Sequence, residues 1–198
     1  MTPTPIAVTM GEPAGIGGEI ALKAWLRRKE RNLPPFFLLD DPRRLGWLAS
    51  TLEWPVALAE IDDPSEAMAA FGDHLPVLAR PLPCPSTPGT PDPANARAVL
   101  AAIEEAVGLV RDGAAAAVVT NPINKAVLYE AGFRHAGHTE FLAELAGPGV
   151  RPVMMLACPG LRAVPVTIHV PLRRAVESLN QDDIEVVARI TARRNGTW

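Results

Sequence analysis

AAAVVTNPINK, residues 115–125, is the stretch that decides the fold. Its first part, residues 115–119, is a short continuous apolar run, which is typical of a parallel strand buried on both faces of a sheet. The Asn-Pro step at 121–122 forces a turn directly after that strand. Thr120, Asn121 and Lys125 are therefore expected at the carboxyl edge of a parallel sheet, where open α/β folds bind their ligands.

A second polar group follows a short helical segment at Gly137-His138-Thr139-Glu140. His138 offers a titratable donor or acceptor and Thr139 a hydroxyl, so with Lys125 they suit a ligand that carries negative charge and hydroxyls. A structural interpretation stands beside this one. Thr139 can cap the following helix, and Glu140 would lie favourably in the first turn.

Upstream of this stretch, apolar runs alternate with helical patterns, which predicts a mostly parallel sheet with helices on both faces. The glycine-rich turn at residues 11–18 has a layout that presents backbone N–H groups to an anion. Its spacing matches neither the dinucleotide fingerprint nor the P-loop, and a tight strand-to-helix turn explains the glycines equally well. The segments are strands at 6–9, 36–39 and 56–61 and helices at 19–28, 42–52 and 95–110.

The remaining segments are a proline-rich connection and an apolar second half. Prolines at 81, 83, 85, 88, 91 and 93 predict an extended surface segment, either a lid or a linker. Two apolar runs, at 153–157 and 161–168, are separated by only three residues. That spacing predicts an antiparallel hairpin, so the sheet beyond residue 150 is expected to be mixed. Helices are expected at 172–179 and after Asn180.

Composition excludes several classes of protein. With 198 residues, 48% hydrophobic and 21% charged, the chain can bury a core. A net charge of -3 without basic runs argues against a nucleic-acid or anionic-membrane partner. Cys84 and Cys158 have neither metal-binding spacing nor a disulfide framework. No apolar run approaches about 18 residues and no signal-peptide pattern opens the chain, so the prediction is a cytoplasmic protein.

Five motifs together resemble the 4-hydroxythreonine-4-phosphate dehydrogenase family of pyridoxal phosphate biosynthesis. They stand in the family's order and rough spacing, and the resemblance extends to about residue 191. The motifs are Gly11-Glu-Pro-Ala-Gly-Ile-Gly17, Thr120-Asn-Pro-Ile-Asn-Lys125, Gly137-His-Thr-Glu140, Met154-Met-Leu156 and Thr167-Ile-His-Val-Pro-Leu172.

The resemblance implies an α/β/α sandwich like that of the isocitrate and isopropylmalate dehydrogenases, acting as a homodimer. We expect a first domain over residues 1–130 and the start of a second over 131–198. The resemblance also implies NAD (or NADP) and a divalent metal, either zinc, magnesium or cobalt. His138 and Thr139 are then substrate-binding residues and His169 is one of three histidine metal ligands. Lys125 is a catalytic candidate from its position only.

The implied reaction is oxidation, with decarboxylation, of 4-phosphooxy-L-threonine to 3-amino-2-oxopropyl phosphate. One alternative is a paralogue that oxidises phosphorylated threonate or erythronate, and another is an inactive remnant that only binds a ligand or a partner. The family continues for over a hundred residues beyond this chain, so we interpret the fold as incomplete and residues 193–198 as a truncated tail. His74 and His135 match no metal motif of the family.

Overall fold

The structure of the chain, a computed structural model, describes residues 4–194. These residues divide into two units of dense internal contact, one up to His138 and the other from Thr139 onward. Each unit is described by itself, and the domain boundary near residue 130 stays a prediction. Of the expected tail, residues 195–198 lie outside the described part.

The first unit is built on a five-stranded sheet in which every pair is parallel. The strand order is β3-β4-β2-β1-β5, so the chain moves to one side of β1 first and then crosses to the other side. The point where the direction reverses lies between β1 and β5. The strands are β1 Ile6–Thr9, β2 Phe36–Asp40, β3 Leu58–Ile61, β4 Leu75–Ala79 and β5 Val118–Val119.

The last strand differs from its prediction. A strand buried on both faces was expected at 115–119, but only Ala115 is buried and Val119 is 48% exposed. The reason is position, because β5 pairs only with β1 and forms the edge of the described sheet. An apolar run alone does not distinguish a central strand from an edge strand that further chain could cover.

The β4 strand was not among the predicted strands. It contains Pro76, and a proline is atypical of a central strand. The register explains how the proline is tolerated. The Leu75 amide donates to Ala57 O on the β3 side, and pairing with β2 begins only at Val77. Pro76 therefore precedes the residues of β4 that pair with β2, so its missing N–H breaks no hydrogen bond to β2.

Helices connect the strands as the sequence pattern predicts. The Asp41 side chain caps α2 and Pro42 opens it, as the sequence indicated. The core on one face of the sheet is formed by α1 and α2 packing on the strands. It includes Leu22 of α1, Leu45 of α2 and Leu38 of β2. The helices of the first unit are α1 Gly17–Leu26, α2 Pro42–Thr51, α3 Ala67–Ala70, α4 Ala96–Arg111 and α5 Lys125–Glu130.

The proline-rich residues 81–93 form a strap that is fastened at three points. The Leu82 amide donates to the Asp41 carboxylate at 2.9 Å, and the Cys84 amide donates to the Asn95 side chain at 3.1 Å. The Gly89 amide donates to Ala14 O at 2.8 Å. The sequence left a lid and a linker open, and these bonds show a connection held against the first unit.

The second unit contains α6 His138–Ala146, the hairpin strands β6 Leu156–Cys158 and β7 Leu161–Ala163, α7 Leu172–Ser178 and α8 Gln181–Arg194. The predicted antiparallel hairpin is confirmed, with β6 and β7 paired only with each other. Little of this unit is buried. Leu172 and Val176 on α7, and Leu179 directly after it, are 82%, 73% and 51% exposed.

Among residues 4–194, no helix has the length and apolar character that crossing a membrane requires.

Candidate active site

The loops that follow β1 and β5 meet at the point where the strand order reverses. The Asn121 side chain donates to Thr9 O at 2.9 Å, and the Glu12 amide donates to Pro122 O at 2.8 Å. Gly11 makes the approach possible, because a Cβ there would lie 2.6 Å from Pro122 O, and its φ of 67° is left-handed. Asn121 thus ties the two loops together and forms the floor of the candidate site.

Three amides of the glycine-rich loop donate to protein acceptors. Besides the Glu12 amide, the Ala14 amide donates to Glu12 Oε1 at 3.0 Å and the Gly15 amide donates to Glu12 O at 3.0 Å. The buried Glu12 carboxylate also brings negative charge to the loop. These contacts favour the tight-turn explanation of the glycines over an anion cradle.

Lys125 is the first residue of α5 and follows Asn121 by four positions in the chain. The Asn124 side chain caps α5 by accepting from the Ala126 and Val127 amides at 3.1 and 3.4 Å. The Lys125 side chain is exposed, so its ammonium group is available to a ligand at the carboxyl edge of the sheet. The placement at this edge agrees with the sequence prediction.

His138 follows Lys125 in the candidate site. It is half-buried, and its Nε2 atom is fully enclosed without a hydrogen-bond partner among the described residues. Burial lowers the pKa of His138, and the positive charge of Lys125 lowers it further. The structure therefore brings Lys125 and His138 near each other and favours a neutral imidazole at neutral pH.

Thr139 and His169 belong to the second unit. Thr139 lies in the first turn of α6, half-buried, next to His138 in the chain. His169 is exposed between β7 and α7 and has a left-handed φ of 56°, which costs a non-glycine residue about 1–2 kcal/mol. Such an outlier before Pro171 is a reason to suspect function.

The described side chains do not form a metal centre by themselves. Residues 4–194 contain no cluster of three or more His, Cys, Asp or Glu side chains able to hold an ion. His169 could supply one ligand, whereas a closed site needs about three or four. The described residues by themselves do not fit a complete metal site.

Sequence reasoning missed the structural partners of the site. Thr9 closes the floor with two acceptors. Its carbonyl accepts from the Asn121 side chain, and its hydroxyl accepts from the Asn121 backbone N–H at 3.3 Å. Asp40 and Arg44 form a buried ion pair at 2.6 Å, and Arg44 also donates to Pro13 O at 3.1 Å, which fastens the glycine loop to α2. Their i, i+4 spacing on a predicted helix start was the available signal.

The sequence of the chain is similar to those of several curated proteins. The chain is 52% identical over 198 residues to a 4-hydroxythreonine-4-phosphate dehydrogenase of Bradyrhizobium diazoefficiens, an alignment that covers 95% of this chain and 57% of the relative. A second such protein, of Methylorubrum extorquens, is 53% identical over 194 residues and is covered to 55%. The chain therefore spans little more than half the length of these curated relatives.

Solved structures give the same result for the fold. A 4-hydroxythreonine-4-phosphate dehydrogenase from Klebsiella pneumoniae matches with a TM-score of 0.85 at 34% identity, over 96% of this chain and 59% of that one. A terephthalate 1,2-cis-dihydrodiol dehydrogenase from Burkholderia xenovorans matches with a TM-score of 0.66 at 26% identity, over 94% of this chain and 55% of that one. The predicted α/β class with a mostly parallel sheet is confirmed.

The family model described as pyridoxal phosphate biosynthetic protein PdxA matches residues 34–197, which include both Lys125 and His138. The chain belongs to the PdxA family.

Proposed function

We propose that this chain supplies the first part of an NAD-dependent, divalent-metal-dependent dehydrogenase that oxidises and decarboxylates 4-phosphooxy-L-threonine. The observation that carries the proposal is the 52% identity to a named 4-hydroxythreonine-4-phosphate dehydrogenase along almost the whole chain. The proximity of Lys125 to the half-buried His138, whose pKa is lowered by burial and by that charge, supports it from the structure. A homodimer is part of the same proposal.

His138 acts on the substrate through its enclosed ring nitrogen. Nε2 is buried without a described partner, and a buried polar atom left unpaired costs about 1–3 kcal/mol. A substrate hydroxyl or carboxylate that bonds this nitrogen recovers that cost, so the atom selects for a polar group at that point. With its pKa lowered, the imidazole can accept a proton from a hydroxyl.

Lys125 contributes a positive charge to the site. Its exposed ammonium group attracts the phosphate or carboxylate of the substrate, and its charge adds to burial in lowering the pKa of His138. Thr139, next in the chain after His138, adds a hydroxyl that can orient the substrate.

The cofactor and metal require more than the described residues offer. NAD would accept the hydride and a divalent metal would act as a Lewis acid on the reacting oxygen. His169 is the one metal ligand that we assign in this chain. The Glu12, Ala14 and Gly15 amides of the glycine loop are engaged within the fold, so we assign no cofactor contact to these three.

A second candidate is a paralogue that oxidises phosphorylated threonate or erythronate. These compounds share a carboxylate, a hydroxyl and a phosphate, and Lys125 with His138 can receive any of them. The match to a dihydrodiol dehydrogenase supports this candidate, because that protein has a similar fold and is named for a different substrate. A third candidate is a remnant that binds a ligand or partner without turnover.

The experiment joins this chain to the uncovered part of the Bradyrhizobium diazoefficiens relative and follows NAD reduction with the three phosphorylated acids. We expect turnover with 4-phosphooxy-L-threonine, and a loss of at least about 10-fold in kcat/KM for His138→Gln and for Lys125→Met. Lys29→Met, an exposed lysine beyond the end of α1, is the matched control and should leave the rate unchanged.

Each outcome selects among the candidates. Faster turnover of the threonate or erythronate compound would favour the paralogue. No turnover of any of the three acids by a folded chimera would refute the enzyme proposal and leave the remnant.

A further inference from the structure

A pocket of about 370 Å³ lies between α2 and the strap, which was defined above as residues 81–93. We call it the α2 pocket. It sits at the carboxyl ends of β2 and β4, on the opposite side of β1 from β5. It is therefore separate from the floor that carries Lys125. Its lining comprises Asp41, Arg43, Arg44, Trp47, Leu82, Cys84, Pro85 and Ser86.

Two side chains on one face of α2 remain open to this pocket. Arg43 and Trp47 are four residues apart, so they lie one turn above the other on the helix. Trp47 is 51% exposed, which leaves a large aromatic face uncovered. Arg43 is exposed and takes part in no ion pair within residues 4–194.

The other charged groups of the lining are occupied. The Asp41 carboxylate accepts from the Arg43, Arg44 and Leu82 amides. The Arg44 guanidinium donates to both carboxylate oxygens of Asp40 and to Pro13 O. The groups left to recognise a ligand are the indole of Trp47, the guanidinium of Arg43 and the hydroxyl of Ser86.

The inner end of the pocket adds an acceptor. A hollow of about 10 Å³, near the size of one water molecule, adjoins it and shares Arg44, Trp47 and Ser86 with it. Glu19 also lines that hollow, and its Oε2 atom is buried without a hydrogen-bond partner among the described residues. A ligand that reaches this end meets an acceptor that lacks a donor.

We propose that the α2 pocket binds a small heteroaromatic phosphate. The ring stacks on Trp47, and the phosphate accepts two parallel hydrogen bonds from Arg43, a geometry for which guanidinium is suited. Ser86 bonds the phosphate or a ring substituent. The pocket volume falls in the range of small-molecule sites, about 300–1,000 Å³.

Two sources share this chemistry. One is a nucleoside monophosphate. The other is a phosphorylated pyridine of the kind named in the description of the family, pyridoxal phosphate. Binding of the second kind would place an end-product site away from the candidate active site.

The test is calorimetric titration of the 198-residue chain with adenosine monophosphate and, separately, with pyridoxine 5′-phosphate, which lacks the aldehyde that reacts with lysines. Inorganic phosphate alone serves as the probe of charge without a ring. We expect one of the two aromatic phosphates to bind with a Kd below about 1 mM, and inorganic phosphate to bind at least about 10-fold more weakly.

Variants locate the binding. Trp47→Ala and Arg43→Ala should each weaken it by at least about 10-fold, whereas Trp47→Tyr, which keeps an aromatic ring, should retain most of it. Arg27→Ala, an exposed arginine next to the end of α1, is the matched control and should have no effect.

The compound that binds identifies the source. The proposal is overturned if neither aromatic phosphate binds below about 1 mM, or if Trp47→Ala or Arg43→Ala leaves the affinity unchanged. An equal loss in Arg27→Ala would assign the binding to general positive charge and would overturn it as well.

Discussion

Replacing Gly11 by alanine tests the close approach of the loops after β1 and β5. The backbone of Gly11 is left-handed at φ 67°, which costs alanine about 1–2 kcal/mol. The new Cβ would also lie 2.6 Å from Pro122 O and 2.7 Å from Asn121 Cβ, and relieving such overpacking costs about 1–3 kcal/mol more. We expect a total loss of about 2–5 kcal/mol in the free energy of unfolding.

Two other glycines separate the two contributions. Gly113 has a φ of 77° and nothing within 4 Å of its built Cβ, so Gly113→Ala should cost only the backbone part, about 1–2 kcal/mol. Gly17 has no left-handed φ, but a Cβ there would lie 2.8 Å from Met10 O. Gly17→Ala should therefore cost only the contact part, about 1–3 kcal/mol.

The assay is urea unfolding followed by tryptophan fluorescence. Three of the four tryptophans, Trp25, Trp47 and Trp54, lie in the first unit, and Trp25 is 4% exposed. The variants are compared in a Trp198→Phe background, so the signal follows the first unit. Equal losses for Gly11→Ala and Gly113→Ala, together with no loss for Gly17→Ala, would show that the loops do not approach as described.

Four further predictions concern the pKa of His138, the pH dependence of stability, a buried ion pair and metal binding. The pKa of His138 should rise toward about 6.5 in Lys125→Met, measured by NMR titration; an unchanged value would contradict the proximity. Because that pKa is lowered in the folded state, the stability that neutral His138 contributes should be complete above about pH 6.5 and fall as the pH drops below it, and this slope should be absent in His138→Gln. Arg44→Met should cost about 3–5 kcal/mol in urea unfolding, because it leaves Asp40 buried without its partner, whereas a loss no larger than about 1 kcal/mol would mean the pair is solvated. Calorimetry with zinc, cobalt or magnesium should find only weak binding to the 198-residue chain, since His169 lies in no described cluster; tight binding abolished by His169→Ala would show a complete site.

The sequence patterns that are local were sufficient for most of the fold. The alternation from β1 to α2 follows from apolar runs and from the Asp41-Pro42 helix start, and both are properties of neighbouring residues. The hairpin at 156–163 follows in the same way from its short connection. The α/β class needed nothing beyond these signals.

The failures have a common cause, which is that pairing partners are not visible in the chain. A proline such as Pro76 is atypical of a central strand, yet the register of β4 places it where β2 needs no donor. The run at 115–119 suited a central strand, yet β5 has one neighbour in the described sheet. Burial on two faces depends on the elements around a strand and not on its composition.

The candidate site shows the same limit. The position of Lys125 at the sheet edge follows from the turn after the strand, but its electrostatic effect on His138 depends on how α5 and the chain to α6 fold back. Asn121 attracted attention as a polar residue at a strand end. Its side-chain amide donates to Thr9 O, and no pattern in the sequence predicts a contact between residues so far apart.

The tie between Thr9 and Asn121 also bears on how the protein is made. Its two ends are 112 residues apart in the chain. At a synthesis rate of about 5–20 residues per second, the ribosome needs roughly 6–22 seconds after completing the first loop to reach the residue that holds it. During that interval β1 and its loop have no β5 to pair with, and the Thr9 carbonyl has no Asn121 donor. The nascent chain can close the floor of the site only late, when most of the first unit has already emerged.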